Sequence, residues 1–339
     1  MITKENDQIA FTLCSNNYLA HAKTIRDSFL KYHPDFKFVI GLVDRPNIGF
    51  DYAFFDGLEI LSVEAIEMKE FEELKKKYNI TELNTAVKPA FFNHLFKKYS
   101  AEKIIYIDPD ILVTSRFVEV LNILDRKNII ITPHTCSPIE DEFAPTDYHT
   151  LRGGVFNLGF IALSNYPEVK NFLDWWHARV VKYGFANFSL NMFYDQIWIN
   201  YVPVFYDNYF ILKNPGYNMA NWNLHERVLS QNEEENFMVN ENFPLRFFHF
   251  SSYSFRNPQI ICSYLTRYNF SNRPDLKMIF KLYRELLIKN NVEEFSRSEL
   301  FFYPEMNKTI IEESVLQPVF YKKVYKTLKN AAKRLIQRV

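Results

Sequence analysis

At 339 residues, 47% of them hydrophobic and 17% aromatic, the chain is long enough to bury one large α/β core with appendages. Its 40 basic and 40 acidic residues balance, which excludes the basic surface excess of a nucleic-acid binder, and its 8 glycines exclude a glycine-rich, loop-dominated chain. The three cysteines, Cys14, Cys136 and Cys262, are odd in number and lack metal-ligand spacing, so a reducing compartment is expected. The opening stretch has no signal-peptide h-region, and no apolar run approaches the ~20 residues that cross a bilayer. The expected location is therefore the cytoplasm, with a peripheral place on the inner face of the membrane left open.

In chain order, Ile9–Cys14 reads as a strand that ends in the polar turn Ser15-Asn16-Asn17. A helix from Tyr18 to about Lys31 follows, with Leu19, Ala22, Ile25 and Phe29 at helical spacing and Pro34 beyond its end. The apolar run Phe36–Val43 reads as a buried strand, and strand, helix, strand at this spacing predicts a parallel sheet. Helices are expected at Ile66–Tyr78 and Thr81–Tyr99, and strands at Lys103–Ile107 and Asn128–Thr132. Thr135–Leu151, polar and with two prolines, reads as a mobile loop. Further on come a strand at Val155–Leu163, a helix at Val169–Val181 with Trp175 and Trp176 in the core, a late strand at Leu245–Phe250 and a helix at Pro274–Lys289.

The strongest local signal is Asp108-Pro109-Asp110, placed directly after the apolar run Lys103–Ile107 and before Ile111-Leu112-Val113. Ligands of open α/β sheets bind at the carboxyl ends of strands. Two carboxylates there are costly unless a cation compensates them, and a hard divalent ion suits oxygen ligands. An ordinary surface turn explains Asp-Pro-Asp less well, because apolar strands flank it on both sides. A dehalogenase-type phosphatase also carries DxD after a strand. That family usually has the motif near its N-terminus, with Thr or Val where Leu112 stands here, and about 100 residues precede the motif in this chain. His249, at the end of the late strand, is a third candidate ligand, and imidazole favours Mn²⁺ over Mg²⁺.

Six segments in one order, over about residues 9 to 260, resemble glycosyltransferase family 8 and its bacterial polysaccharide-building relatives. They are Thr12-Leu13-Cys14-Ser15-Asn16-Asn17-Tyr18, Ala86-Val87-Lys88-Pro89, Asp108-Pro109-Asp110, Phe156-Asn157-Leu158-Gly159-Phe160, Asp195-Gln196 and His249-Phe250-Ser251. The resemblance implies a GT-A fold, a Rossmann-like, mostly parallel mixed sheet flanked by helices, with a small C-terminal helical region. It also implies a donor site in which Asn17 and Tyr18 hold the nucleoside, Lys88 touches the donor and Asn157 faces its sugar. Asp108, Asp110 and His249 would hold Mn²⁺ or Mg²⁺, and Asp195 and Gln196 would flank the anomeric carbon. Two departures stand out. The late segment lacks the family's Gly and Lys-Pro-Trp group, where Arg256 takes the place of the lysine. The stretch from Asn214 to Arg227 is not standard for the family; its Trp222, His225 and Glu226 are candidate acceptor residues.

The implied activity is a metal-dependent transfer of a hexose from a nucleotide-sugar, a UDP-sugar by the resemblance, to a glycan acceptor with retention of configuration. The alternatives are an inverting GT-A transferase of a sister family, with Asp195 or Glu226 as base, a non-catalytic glycan-binding protein, and the DxD phosphatase. The expected organisation is a catalytic domain over 1–260, a helical extension over 261–318 and a tail helix over 319–339. That tail carries Lys322, Lys323, Lys326, Lys329, Lys333, Arg334 and Arg338 and no acid, which leaves 33 basic against 40 acidic residues elsewhere. Phe320, Val324, Leu328, Ala331, Leu335 and Val339 recur at helical spacing between these charges. A basic amphipathic helix of this kind suits an anionic membrane surface, where each basic residue contributes on the order of 1 kcal/mol, and a lipid-linked glycan acceptor would explain it.

Overall fold

The computed structural model describes residues 8–47, 52–55, 57–66, 68–298 and 300–302. The tail helix expected over 319–339 lies outside the described residues. Ten strands position the site: β1 (Gln8–Cys14), β2 (Lys37–Leu42), β3 (Glu59–Ser62), β4 (Lys103–Ile107), β5 (Ile111–Val113), β6 (Ile129–Pro133), β7 (Phe156–Ser164), β8 (Tyr209–Ile211), β9 (Met219–Ala220) and β10 (Phe247–His249). Seven of them form one sheet in the order β8-β6-β7-β4-β1-β2-β3. All its pairings are parallel except those of β7, which runs antiparallel to β4 and β6. The fold is thus the mixed, mostly parallel α/β sheet flanked by helices that the sequence predicts.

Alternation along the strands divides the core between the two faces of this sheet. Ile9, Phe11 and Leu13 of β1 and Ile104 and Tyr106 of β4 join one cluster, with Phe91, Phe92, Phe172 and Trp176 from the helices Lys88–Tyr99 and Pro167–Tyr183. Ala10 and Cys14 of β1 and Ile105 and Ile107 of β4 join the other, with Ile25 and Phe29 from the helix Leu19–Tyr32. Ile279, Phe280, Tyr283 and Leu287 of the helix Lys277–Lys289 belong to that same second cluster. This part of the C-terminal region is therefore built into the core of the sheet.

Three local expectations need correction. The helix predicted over Thr81–Tyr99 is two, Ile80–Ala86 and Lys88–Tyr99, because Pro89 has no N–H and opens a new helix at its second position. The supposed loop over Thr135–Leu151 contains the start of a helix, Asp147–Gly153. The N–H of Thr146 there donates to His149 Nδ1 at 3.2 Å, a cap in which histidine replaces the usual Glu or Gln. β3 was not expected at all, since four residues give too short a pattern to read. Among the described residues no helix is long and apolar enough to cross a membrane. All three cysteines are free, Cys14 and Cys262 buried and Cys136 exposed.

Candidate active site

The chain leaves the main sheet at the end of β4. Asp108 N–H still donates to Gly159 O on β7 at 2.8 Å, but three residues later the chain enters β5, which belongs to a different sheet. That second sheet has the order β9-β10-β5, with β10 antiparallel to β5 and His249 opposite Ile111. The N–H of Phe250 donates to Asp110 O at 2.8 Å. This pairing carries His249 to the acidic motif. Its Nε2 stands 3.1 Å from Asp110 Oδ1 and 3.8 Å from Asp108 Oδ2. One ligand atom from each of the three residues lies within 4.8 Å of the others.

Shape, more than hydrogen bonding, holds the imidazole. A Cβ on Gly159 would stand 2.4 Å from His249 Cε1 and 2.9 Å from Asn157 Oδ1, so the glycine creates the space the ring fills. On another side Trp222 meets the ring edge-on, with centroids 5.1 Å apart, and meets His134 at the same distance. Among the described residues no partner is found for the buried His249 Nδ1.

The charges are interdependent. Burial raises the pKa of Asp108, opposed by Lys88 and His249. Burial also works against ionisation of Asp110, but the imidazolium of His249 outweighs it and holds Asp110 below the usual carboxylate range. Burial likewise disfavours protonated His249, and Asp110 and then Asp108 more than reverse that, so its pKa is raised. Each shift has the sign expected where two carboxylates and an imidazole share one small buried volume. Two carboxylates and an imidazole form a fitting donor set for a divalent metal, and the cradle opposite Gly159 aims Nε2 at the carboxylates.

Beside the trio lies a buried ion pair. Lys88 and Asp195, with side chains 1% and 3% exposed, meet at 2.7 Å. Lys88 Nζ also donates to Leu158 O at 3.1 Å and sits 4.2 Å from the centre of the Tyr106 ring. Burial raises the pKa of Asp195, and Lys88 opposes the rise.

The other expected residues have the following surroundings. Asn157 Nδ2 lies 3.3 Å from His134 Nε2, and its Oδ1 accepts from Gly159 N–H at 3.1 Å. Both ends of the Gln196 amide are engaged: Nε2 donates to Gly153 O at 2.7 Å and Oε1 accepts from Leu158 N–H at 3.4 Å. Among the described residues the buried Oδ1 of Asn17 has no partner. Tyr18 is 40% exposed and stacks on His21 at 4.3 Å. Burial and then the Asp110 charge push the Tyr18 hydroxyl up to about 12, while burial takes His21 down to about 4 against the pull of Asp110.

Arg256 is engaged elsewhere. It donates to Ser296 Oγ at 2.6 Å and to Glu293 at 3.4 Å, and its guanidinium covers Phe255. Glu226 accepts from the N–H of Cys136 at 3.0 and 2.9 Å and from Ser137 Oγ at 2.8 Å. His225 Nε2 lies 3.2 Å from Ser137 O. These two residues tie down the segment after β6, whereas Trp222 reaches His249.

Sequence reasoning passed over Tyr106, His21, His134 and the role of Gly159. One signal was available: His134 follows β6 directly, as Asp108 follows β4 and Ser15 follows β1, so all three lie at the same carboxyl edge of the sheet.

The sequence matches no protein-family model and no curated protein. Among solved structures it is similar to the galactosyltransferase LgtC in complex with donor and acceptor sugar analogues. There the identity is 14% and the TM-score 0.47, over 88% of this chain and 98% of that one. It is also similar to the glycosyltransferase GlyE of Streptococcus pneumoniae TIGR4, at 14% identity and a TM-score of 0.46, over 88% of this chain and 67% of that one. A third is the glycosyltransferase involved in glycosylation of the major capsid of PBCV-1, at 12% identity and a TM-score of 0.42, over 73% and 94%.

Proposed function

We propose that this protein is a metal-dependent glycosyltransferase that moves a hexose from a UDP-sugar to a glycan acceptor. The observation that carries the reading is the meeting of Asp108, Asp110 and His249 at the carboxyl edge of the sheet, next to the buried Lys88–Asp195 pair. Asp110 and His249 would hold Mn²⁺ (or Mg²⁺) directly, with Asp108 contributing through one oxygen or a water. When bound, the ion neutralises the charge that develops on the departing diphosphate.

In this reading Asn17 and Tyr18 bind the nucleoside and Asn157 faces the donor sugar. The acceptor hydroxyl attacks the anomeric carbon, a new C–O bond forms, and the bond to the diphosphate oxygen breaks. That oxygen takes the acceptor proton on the same face, which retains the configuration. Asp195, its charge held by Lys88, would stabilise the positive charge that develops on the sugar, and Gln196 would position β7 through its backbone contacts. The ties of Glu226 to Cys136, Ser137 and Arg227 favour this retaining course over an inverting one that uses Glu226 as base. A lipid-linked acceptor, met at the membrane surface by the basic tail, rests on the sequence of 319–339 alone.

Isothermal titration of UDP with and without Mn²⁺, on wild type and on Asp110→Ala, tests the proposal. UDP binding that needs the metal and disappears in the variant is the expected result. Wild-type protein that binds no UDP under either condition would refute it.

A further inference from the structure

Asp108 follows β4 directly and continues its pairing to β7, so strand alternation puts it on the side that carries Tyr106, two residues earlier. The Tyr106 hydroxyl donates to Asp108 Oδ1. The ring is 2% exposed, and Phe11 on the neighbouring strand meets it at 5.0 Å and 63°. It also carries Lys88 Nζ on its face at 4.2 Å. One fixed side chain therefore grips a carboxylate by its hydroxyl and an ammonium by its π-face. With Oδ1 held, the oxygen left over is Oδ2, which is the one 3.8 Å from His249 Nε2 and so the one turned toward the trio.

We infer that Tyr106 is a positioning residue for the metal centre: it fixes Asp108 as a one-oxygen ligand and keeps that carboxylate from turning to Lys88. The inference rests on the proposed metal site. Outer partners of this kind orient ligands, and their loss costs ten- to a hundredfold in metal affinity. Phenylalanine fills the same volume as tyrosine, so the substitution removes the grip and leaves the packing.

The test is Mn²⁺ binding in the presence of UDP, followed through the paramagnetic signal of free Mn²⁺, on wild type, Tyr106→Phe, Asp108→Asn and the double variant. Tyr106→Phe should raise the Mn²⁺ Kd about ten- to a hundredfold without moving the melting temperature of the metal-free protein. In the Asp108→Asn background the Phe substitution should have no further effect, because the hydroxyl acts through that carboxylate. An unchanged Kd in Tyr106→Phe, or an equal further loss in the Asp108→Asn background, overturns the inference alone. A Tyr106→Phe variant that loses its fold assigns the tyrosine a purely structural role and also overturns it. Wild-type protein that binds no Mn²⁺ overturns the proposed function, and the inference with it.

Discussion

Lys88 and Asp195 lie far apart in sequence yet form an ion pair of 2.7 Å that is almost completely shielded from water. Removing one partner of a buried pair leaves an uncompensated charge, which costs about 3–5 kcal/mol, whereas replacing both with apolar residues is often neutral. Lys88→Met and Asp195→Leu should each lower the urea midpoint sharply, and the double variant should recover most of the loss while donor turnover stays abolished. Single variants as stable as wild type would mean that water reaches the pair.

Gly159→Ala places a methyl 2.4 Å from His249 Cε1, well inside contact distance. Overpacking of this kind costs about 1–3 kcal/mol, and here the cheapest relief is rotation of the imidazole away from Asp110. The variant should remain folded and lose at least tenfold in Mn²⁺ affinity, the least that losing a ligand-orienting contact costs. Calorimetry of Mn²⁺ binding in the presence of UDP checks this, and an affinity equal to wild type would show that the histidine does not touch the ion.

Arg256 provides a contrasting case. Its side chain is half exposed and engaged with Glu293 and Ser296, where ion pairs contribute about 0–1 kcal/mol. Arg256→Ala should change the donor KM by less than about twofold, as expected of an exposed pair. A tenfold rise in KM would instead return Arg256 to the diphosphate, as the sequence resemblance implies.

A pH dependence follows from His33. Its Nε2 accepts from Phe117 N–H at 2.9 Å and its Nδ1 bonds Phe29 O at 3.1 Å, so the folded protein keeps the ring neutral. Burial is the main cause that takes its pKa down to about 4, against 6.5 unperturbed. Between those values the unfolded chain binds more protons, so stability rises with pH through that window. The contribution, up to about 3 kcal/mol, is complete above pH 6.5, erodes as pH falls, and is gone below about 4. In the difference between wild type and His33→Gln, unfolding free energy should slope upward only over this range. A flat difference would contradict the neutral assignment.

Strands β1, β2 and β4 were legible because buried parallel strands read as continuous apolar runs, and the acidic motif was legible because it follows one of them directly. His249 could be placed only by its resemblance, since β10 is three residues long and a lone histidine on an apolar strand is ordinary. Lys88 reads on any helical wheel as a solvated lysine, and its burial depends on Asp195 arriving from elsewhere in the chain. Arg256 looked suited to phosphate by type, but the helix Lys277–Lys289 packs into the core and brings up Glu293 and Ser296 to meet it. Long-range pairing of polar groups leaves no periodic trace in a sequence, and that is where the reading fell short.

The two carboxylates of the acidic motif are anchored in different sheets. Asp108 hangs from the seven-stranded sheet through Gly159, while Asp110 and His249 hang from the three-stranded one. An ion held by all three would add a direct tie across the seam between the two sheets, beyond the core they already share. Occupancy should therefore be readable as stiffness: hydrogen exchange at the amides of Asp108 and Phe250, one on either side of the seam, slows together when the site is filled.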